Sequence, residues 1–273
     1  MDTRHSPKQN SVLAAVDDAY FERLLPHLEL VPLPFGWIVY QAGRAPRYAY
    51  FPTTSTVALL CGTENGATAE IAVCGNDGMV GVTVLMGQGI SSNQAVVQCA
   101  GFGYRMEAGY LKSEFERQGA LRALLMRYIQ ILMTQIGQTA VCNGLHTVEQ
   151  RLCRWLLAAT DRVSPVAKEL VITQEHIANM LGVRREGITE AAGRLQTSGV
   201  ISCGRRRITV LDRAALEAHS CECYASLKKE LKRLAPKKSQ SSTGDSSVAE
   251  EAAERRARHT GNSAWTNGGY AAI

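Results

Sequence analysis

The chain has 273 residues, long enough for two modest domains and a tail, and its 45% hydrophobic content is that of a globular protein with a real core. No run approaches the roughly 18 apolar residues of a membrane helix. The charged N-terminus (Asp2, Arg4, Lys8) has no apolar stretch before Asp17 and Asp18, so no signal peptide is expected. The net charge of +5 is unevenly placed: residues 1–146 hold 10 Lys and Arg against 11 Asp and Glu, residues 147–235 hold 15 against 10, and the remainder 5 against 4. Positive charge confined to one segment suits a polyanion-binding surface; a solvated basic face with no partner is the alternative.

These features predict a cytoplasmic protein, where disulfides are disfavoured. The eight cysteines (61, 74, 99, 142, 153, 203, 221 and 223) contain no CxxC pair, and only Cys221 and Cys223 are close in sequence. They read as small apolar packing residues, with no metal and no cofactor expected.

After an N-terminal arm, residues 1–19, the segment 20–119 alternates short apolar runs with turn residues. The runs are Trp37–Tyr40, Thr56–Cys61, Ala69–Cys74, Gln94–Cys99 and Phe102–Met106, and Asn65–Gly66 between two of them is a hairpin signal. An antiparallel β-roll of double-stranded, jelly-roll-like type follows. From residue 120 to 145 the period becomes helical. Leu121, Leu125, Tyr128, Leu132, Gln135, Thr139 and Cys142 form one stripe at 3.5-residue spacing, read as the face that meets a twin helix in a homodimer. An ordinary buried helix is the other reading of the same stripe.

Residues 146–235 form the third unit. "TVEQRLCRWLL" places Val148, Leu152, Trp155 and Leu156 on one helical face, and Leu170–Ile172 reads as a short strand. Thr173 then caps a helix over "QEHIANML", Gly182 makes a tight turn, and a second helix opens at Arg184 and Arg185, with Ile188, Ala192 and Leu195 inward. That arrangement leaves Arg184, Arg185, Glu186, Thr189 and Glu190 facing outward near the helix N-terminus, where a recognition helix meets base edges. Two strands flank Gly204-Arg205-Arg206, so Arg205, Arg206 and Arg207 form a wing suited to phosphates, joined by Thr173, Gln174 and Arg194. After residue 235 the composition turns polar and Ser-rich, and 236–273 is expected to be disordered.

The stretches "TVEQRLCRWLL", "LVITQEHIANMLGVRREGITEAAGRLQTSGVIS" and "GRRRITVLDRAAL" resemble the DNA-binding domain of the Crp/Fnr family of bacterial transcription regulators. The roll and long helix before them are similar in order and length to that family's effector domain and dimer helix. The resemblance implies an α+β chain with an N-terminal β-roll, a dimerisation helix and a C-terminal winged helix-turn-helix. It also implies a homodimer on a palindromic double-stranded DNA site, with RNA polymerase as a further partner. Arg185 and Glu186 match the family's base-contacting pair, whereas Glu190 stands where many members carry arginine, so an altered half-site is expected.

In members that bind cyclic AMP, a cassette carries Gly-Glu and later Arg-Ser/Thr. Val82 occupies the Glu position here, and Asn93 and Gln94 the Arg position, so cyclic-nucleotide dependence is not expected. His27 and His146 read as ordinary polar contacts rather than haem ligands. Cys203 beside the wing is a candidate redox position. No nucleophile–base pairing or Walker-type loop stands out, so no enzyme is expected. The alternatives are a ligand-binding roll whose C-terminal domain makes protein contacts, and a nucleoid-type binder without sequence preference.

Overall fold

The computed structural model describes residues 5–64, 66–87, 89–163 and 169–232. Asn65 of the expected hairpin turn and the expected disordered tail lie outside the described residues.

The chain opens with two short helices, α1 (Ser11–Ala14) and α2 (Asp18–Leu24). Both start on a side-chain cap: Asn10 accepts from the amides of Val12 and Leu13, and Asp17 from that of Tyr20. Val12, Leu13, Phe21 and Leu24 are buried in one cluster with Phe51, Met79 and Met106. The described part of the expected arm therefore belongs to the first core, because its apolar residues recur at helical spacing.

Seven antiparallel strands follow: β1 (Glu29–Leu33), β2 (Ile38–Tyr40), β3 (Tyr48–Pro52), β4 (Thr56–Gly62), β5 (Thr68–Cys74), β6 (Gln94–Cys99) and β7 (Gly101–Glu107). They form two sheets, ordered β1-β7-β3 and β2-β6-β4-β5, which make the expected roll. The sequence pattern missed β1 and β3, each interrupted by proline. Pro32 and Pro52 sit on the two edge strands of their sheet, where a missing N–H is tolerated. β4 and β5 pair from Val57↔Cys74 to Gly62↔Thr68, so the hairpin falls where the sequence placed it.

Helix α3 (Ala108–Glu116) leads into α4 (Ala120–Leu145), 26 residues long. Its burial corrects one expectation. Leu121, Leu125, Tyr128, Leu132, Gln135, Thr139 and Cys142 are all buried within this one chain. The stripe assigned to a twin helix is the face that closes the roll: the Tyr128 hydroxyl donates to Met79 O at 2.9 Å, and Gln135 Nε2 donates to Val73 O at 3.1 Å. Gly78 makes room for this contact, since a Cβ there would collide with the Tyr128 ring. The outward face of α4 carries a different seam. Met126, Gln130, Met133, Gly137, Ala140 and Gly144 are all exposed and recur at alternating spacings of four and three.

The C-terminal unit comprises α5 (Val148–Val163), β8 (Glu169–Leu170), α6 (Gln174–Leu181), α7 (Arg185–Thr197), β9 (Ile201–Gly204), β10 (Arg207–Val210), α8 (Arg213–His219) and α9 (Cys223–Leu231). Leu152, Trp155, Leu156, Ile177, Leu181, Ile188 and Leu195 share its core. The short strand expected at Leu170–Ile172 forms one residue earlier and edges the sheet β8-β10-β9. Helix α6 rests on the roll: Met180 is buried with Ala58 and Leu60 of β4.

Candidate nucleic-acid interface

The reading unit is built from local rules. Thr173 Oγ1 accepts from His176 N at 3.1 Å and starts α6. Gly182 ends it in the left-handed region (φ 61°), and Val183 N returns to Ala178 O at 3.0 Å. Only a residue without a Cβ takes this turn at no cost, so the angle between α6 and α7 is set by one glycine. Ile188, Ala191, Ala192 and Leu195 of α7 point into the core.

The opposite side of α7 is open. Arg184, Arg185, Glu186, Thr189 and Glu190 are all exposed. The Thr189 hydroxyl lies 2.9 Å from Gln174 Oε1 and 3.1 Å from Arg185 O, which ties the two helices together at their N-terminal ends. Glu190 is engaged: its Oε1 accepts from Arg194 Nη1 at 2.7 Å, and Arg194 Nε also pairs with Glu149 at 2.6 Å. Arg194, expected on phosphate, is thus held between two carboxylates.

The wing is a hairpin with Gly204 opposite Arg207 and Arg205–Arg206 at its tip. Arg206 adopts φ 61°, the region that disfavours side chains with a Cβ. Arg207 faces Glu169 at 3.5 Å. Arg184, Arg185, Arg205 and Arg206 form no ion pair with any described residue. Thr173, Gln174, Arg185, Arg206 and Arg207 come together around a groove of about 430 Å³ between α6, α7 and the wing, which the Glu175 carboxylate also lines. Five residues expected to touch DNA therefore share one concave surface. Two of its lining guanidinium groups, those of Arg185 and Arg206, form no ion pair with a described residue, the kind of charge that suits an anion.

Cys203 is half-buried beside this groove, and burial pushes its thiol pKa up. That favours the thiol over the thiolate an oxidant needs, so the structure gives no support to the redox reading. In the roll, Asn93 Oδ1 accepts from the Tyr40 hydroxyl at 3.0 Å and lies 3.3 Å from Ser91 Oγ. His27 stacks on Tyr110 at 3.6 Å, as an ordinary packing contact. His146 is different: it joins Cys142, Cys221 and Cys223, a grouping that sequence distance concealed.

Helix-turn-helix, wing and roll together define a two-part regulator fold. Residues 150–219 match the family model of the Crp-like helix-turn-helix domain. FixK2 from Bradyrhizobium japonicum aligns with TM-score 0.61 at 17% identity, covering 71% of this chain and 98% of its own. A transcriptional regulator of the crp/fnr family from Eubacterium rectale aligns with TM-score 0.58 at 19% identity, covering 76% and 96%. The c-di-GMP-responsive global regulator CLP from Xanthomonas campestris aligns with TM-score 0.58 at 16% identity, covering 72% and 100%. No curated protein matches the chain in sequence. The chain carries a Crp-like helix-turn-helix domain and has the fold of Crp/Fnr-type regulators. No described helix is long and apolar enough to cross a membrane.

Proposed function

We propose that the chain is a non-enzymatic, homodimeric transcription regulator that places α7 in successive major grooves of a palindromic site. The observation that carries this is the groove that Arg185 and Arg206, neither in an ion pair with a described residue, line together with Thr173 and Gln174 at the start of α6. Arg184, Arg185 and Glu186 lead α7 and form no ion pair with any described residue, so base edges can take them. Arg205, Arg206 and Arg207, with Thr173 and Gln174, flank that helix where phosphates run. Glu190 and Arg194 neutralise each other, which supports a half-site unlike that of relatives with arginine at position 190. RNA polymerase is the partner that promoter-bound regulation requires.

The second subunit docks on the outward seam of α4. Its 4-3 spacing is that of a helix pair, and Gly137, Ala140 and Gly144 let two backbones approach closely. Cyclic nucleotides are not the effector in this reading. Asn93 and Gln94 supply no cation for a cyclic phosphate, and Asn93 already serves Tyr40.

Selection from a random DNA pool, followed by gel shift at two salt concentrations, tests the proposal. A two-fold symmetric site with half-sites about 34–36 Å apart is expected. Arg185→Ala should cost about 1–3 kcal/mol on the selected site and relax one base position. Equal losses on selected and random DNA would place Arg185 on the backbone and favour a non-specific binder. Cyclic AMP should leave both affinities unchanged.

A further inference from the structure

Where α4 ends and α9 begins, four metal-binding side chains converge. Cys142 lies in the last turn of α4, and His146 caps that helix one turn later. Cys221 lies in the link from α8 to α9, and Cys223 opens α9. Their donor atoms all lie within 4.8 Å of one another. Cys142 Sγ is 3.6 Å from Cys221 Sγ, and Cys223 Sγ is 3.5 Å from His146 Nδ1. Zinc bonds of about 2.3 Å to sulfur and about 2.0–2.1 Å to nitrogen at the tetrahedral angle place ligands about 3.8 Å and about 3.5 Å apart. Both separations fit that figure.

The surroundings point the same way. The three cysteines pack on one another in a cluster of their own, separate from the aliphatic cores. Cys142 and Cys223 are fully buried and Cys221 is 4% exposed, so water has little access. His146 turns Nδ1 to the cluster and holds Nε2 3.2 Å from the Glu222 carboxylate, the outer-shell arrangement that orients a metal-bound imidazole. Gln138 Nε2 donates to Cys223 Sγ at 2.9 Å, which stabilises a thiolate. Neither Glu222 nor Gln138 has such a role beside a cysteine pair that forms a disulfide.

We propose that Cys142, His146, Cys221 and Cys223 bind one zinc ion per chain in a closed structural site. Four protein donors leave no open position, so the ion holds the fold and performs no chemistry. The three thiols release their protons on loading, and no electrons move. The site fastens α9 to the end of α4, beside residues 145–147, where the chain passes from the long helix to the reading unit.

Full-length, tag-free protein purified without chelator should contain one zinc per chain by elemental mass spectrometry, with all eight cysteines reduced. Cys223→Ser and the double variant Cys142→Ser, Cys221→Ser should lose it, whereas Cys61→Ser and Cys203→Ser should keep it. Cobalt(II) exchanged into the wild-type chain should show the intense visible bands of a tetrahedral, sulfur-rich site. His146→Cys should retain cobalt with those bands shifted to the red, which separates lost ligation from lost folding. Substoichiometric metal, iron in place of zinc, zinc indifferent to the cluster variants, or a Cys142–Cys221 disulfide in the alkylated protein would each overturn the assignment. These readouts do not depend on DNA binding.

Discussion

Glu70 on β5 faces the roll's junction with α5 and has almost no contact with water. Burial is the main force on it and pushes its pKa up to about 7; the Arg154 guanidinium, the Trp155 indole and the Gln98 amide, which donates to Oε2 at 2.9 Å, oppose that rise. The folded chain therefore holds the proton more tightly than the unfolded chain, whose carboxyl titrates near the ordinary value of 4.5. The stability this contributes is complete below that value and is lost as pH rises through about 7. Glu70→Gln should gain thermal stability relative to wild type as pH goes from 5 to 8, by about 2.5 kcal/mol over that window, most of it below pH 7. Paired melting curves across that range check it. A difference that stays constant with pH would show that Glu70 is charged throughout.

Among the elements, the wing joins strain to charge. Arg206 occupies a left-handed conformation that costs roughly 1–2 kcal/mol for a residue with a Cβ, yet it carries a guanidinium to the groove. Arg206→Gly should therefore raise the melting temperature slightly while weakening binding to every DNA sequence and reducing the salt slope by about 1. Thermal melts and gel shifts on the same preparation report both. The charge was legible in the sequence, where three arginines at a turn opposed packing; the left-handed backbone at Arg206 was not. The reading helix was legible for the same kind of reason: a cap at Thr173, a turn at Gly182 and a core stripe from Ile188 to Leu195 are local signals. The orientation of α4 was not. A 3.5-residue stripe says that a helix is covered, and Leu125 and Tyr128 look the same whether a strand or a twin covers them. The cluster of Cys142, His146, Cys221 and Cys223 was hidden by the 74 residues of chain between its two halves.

For the whole molecule, the proposed assembly rests on the exposed seam of α4. Gly137 has nothing within 4 Å of its would-be Cβ, so the single chain accommodates a side chain there. Gly137→Glu should leave the monomer folded, since glutamate favours helix over glycine by several tenths of a kcal/mol. Across a two-fold axis it should set like charges face to face and raise the dimer dissociation constant at least tenfold. Sedimentation equilibrium with circular dichroism on the same samples separates the two effects. A Gly137→Glu protein that sediments as the wild type does would remove α4 from the interface.

The seating of α6 on β4 has a consequence for how binding sites vary. Met180 rests on Ala58 and Leu60, so the second sheet of the roll is the platform for α6. In the proposed dimer, lettering and pitch would thereby be divided between different parts of the chain. The N-terminal residues of α7 would choose which bases are read. The height and tilt of the platform would set how far apart the two heads stand, and hence how many base pairs separate the two halves of a site.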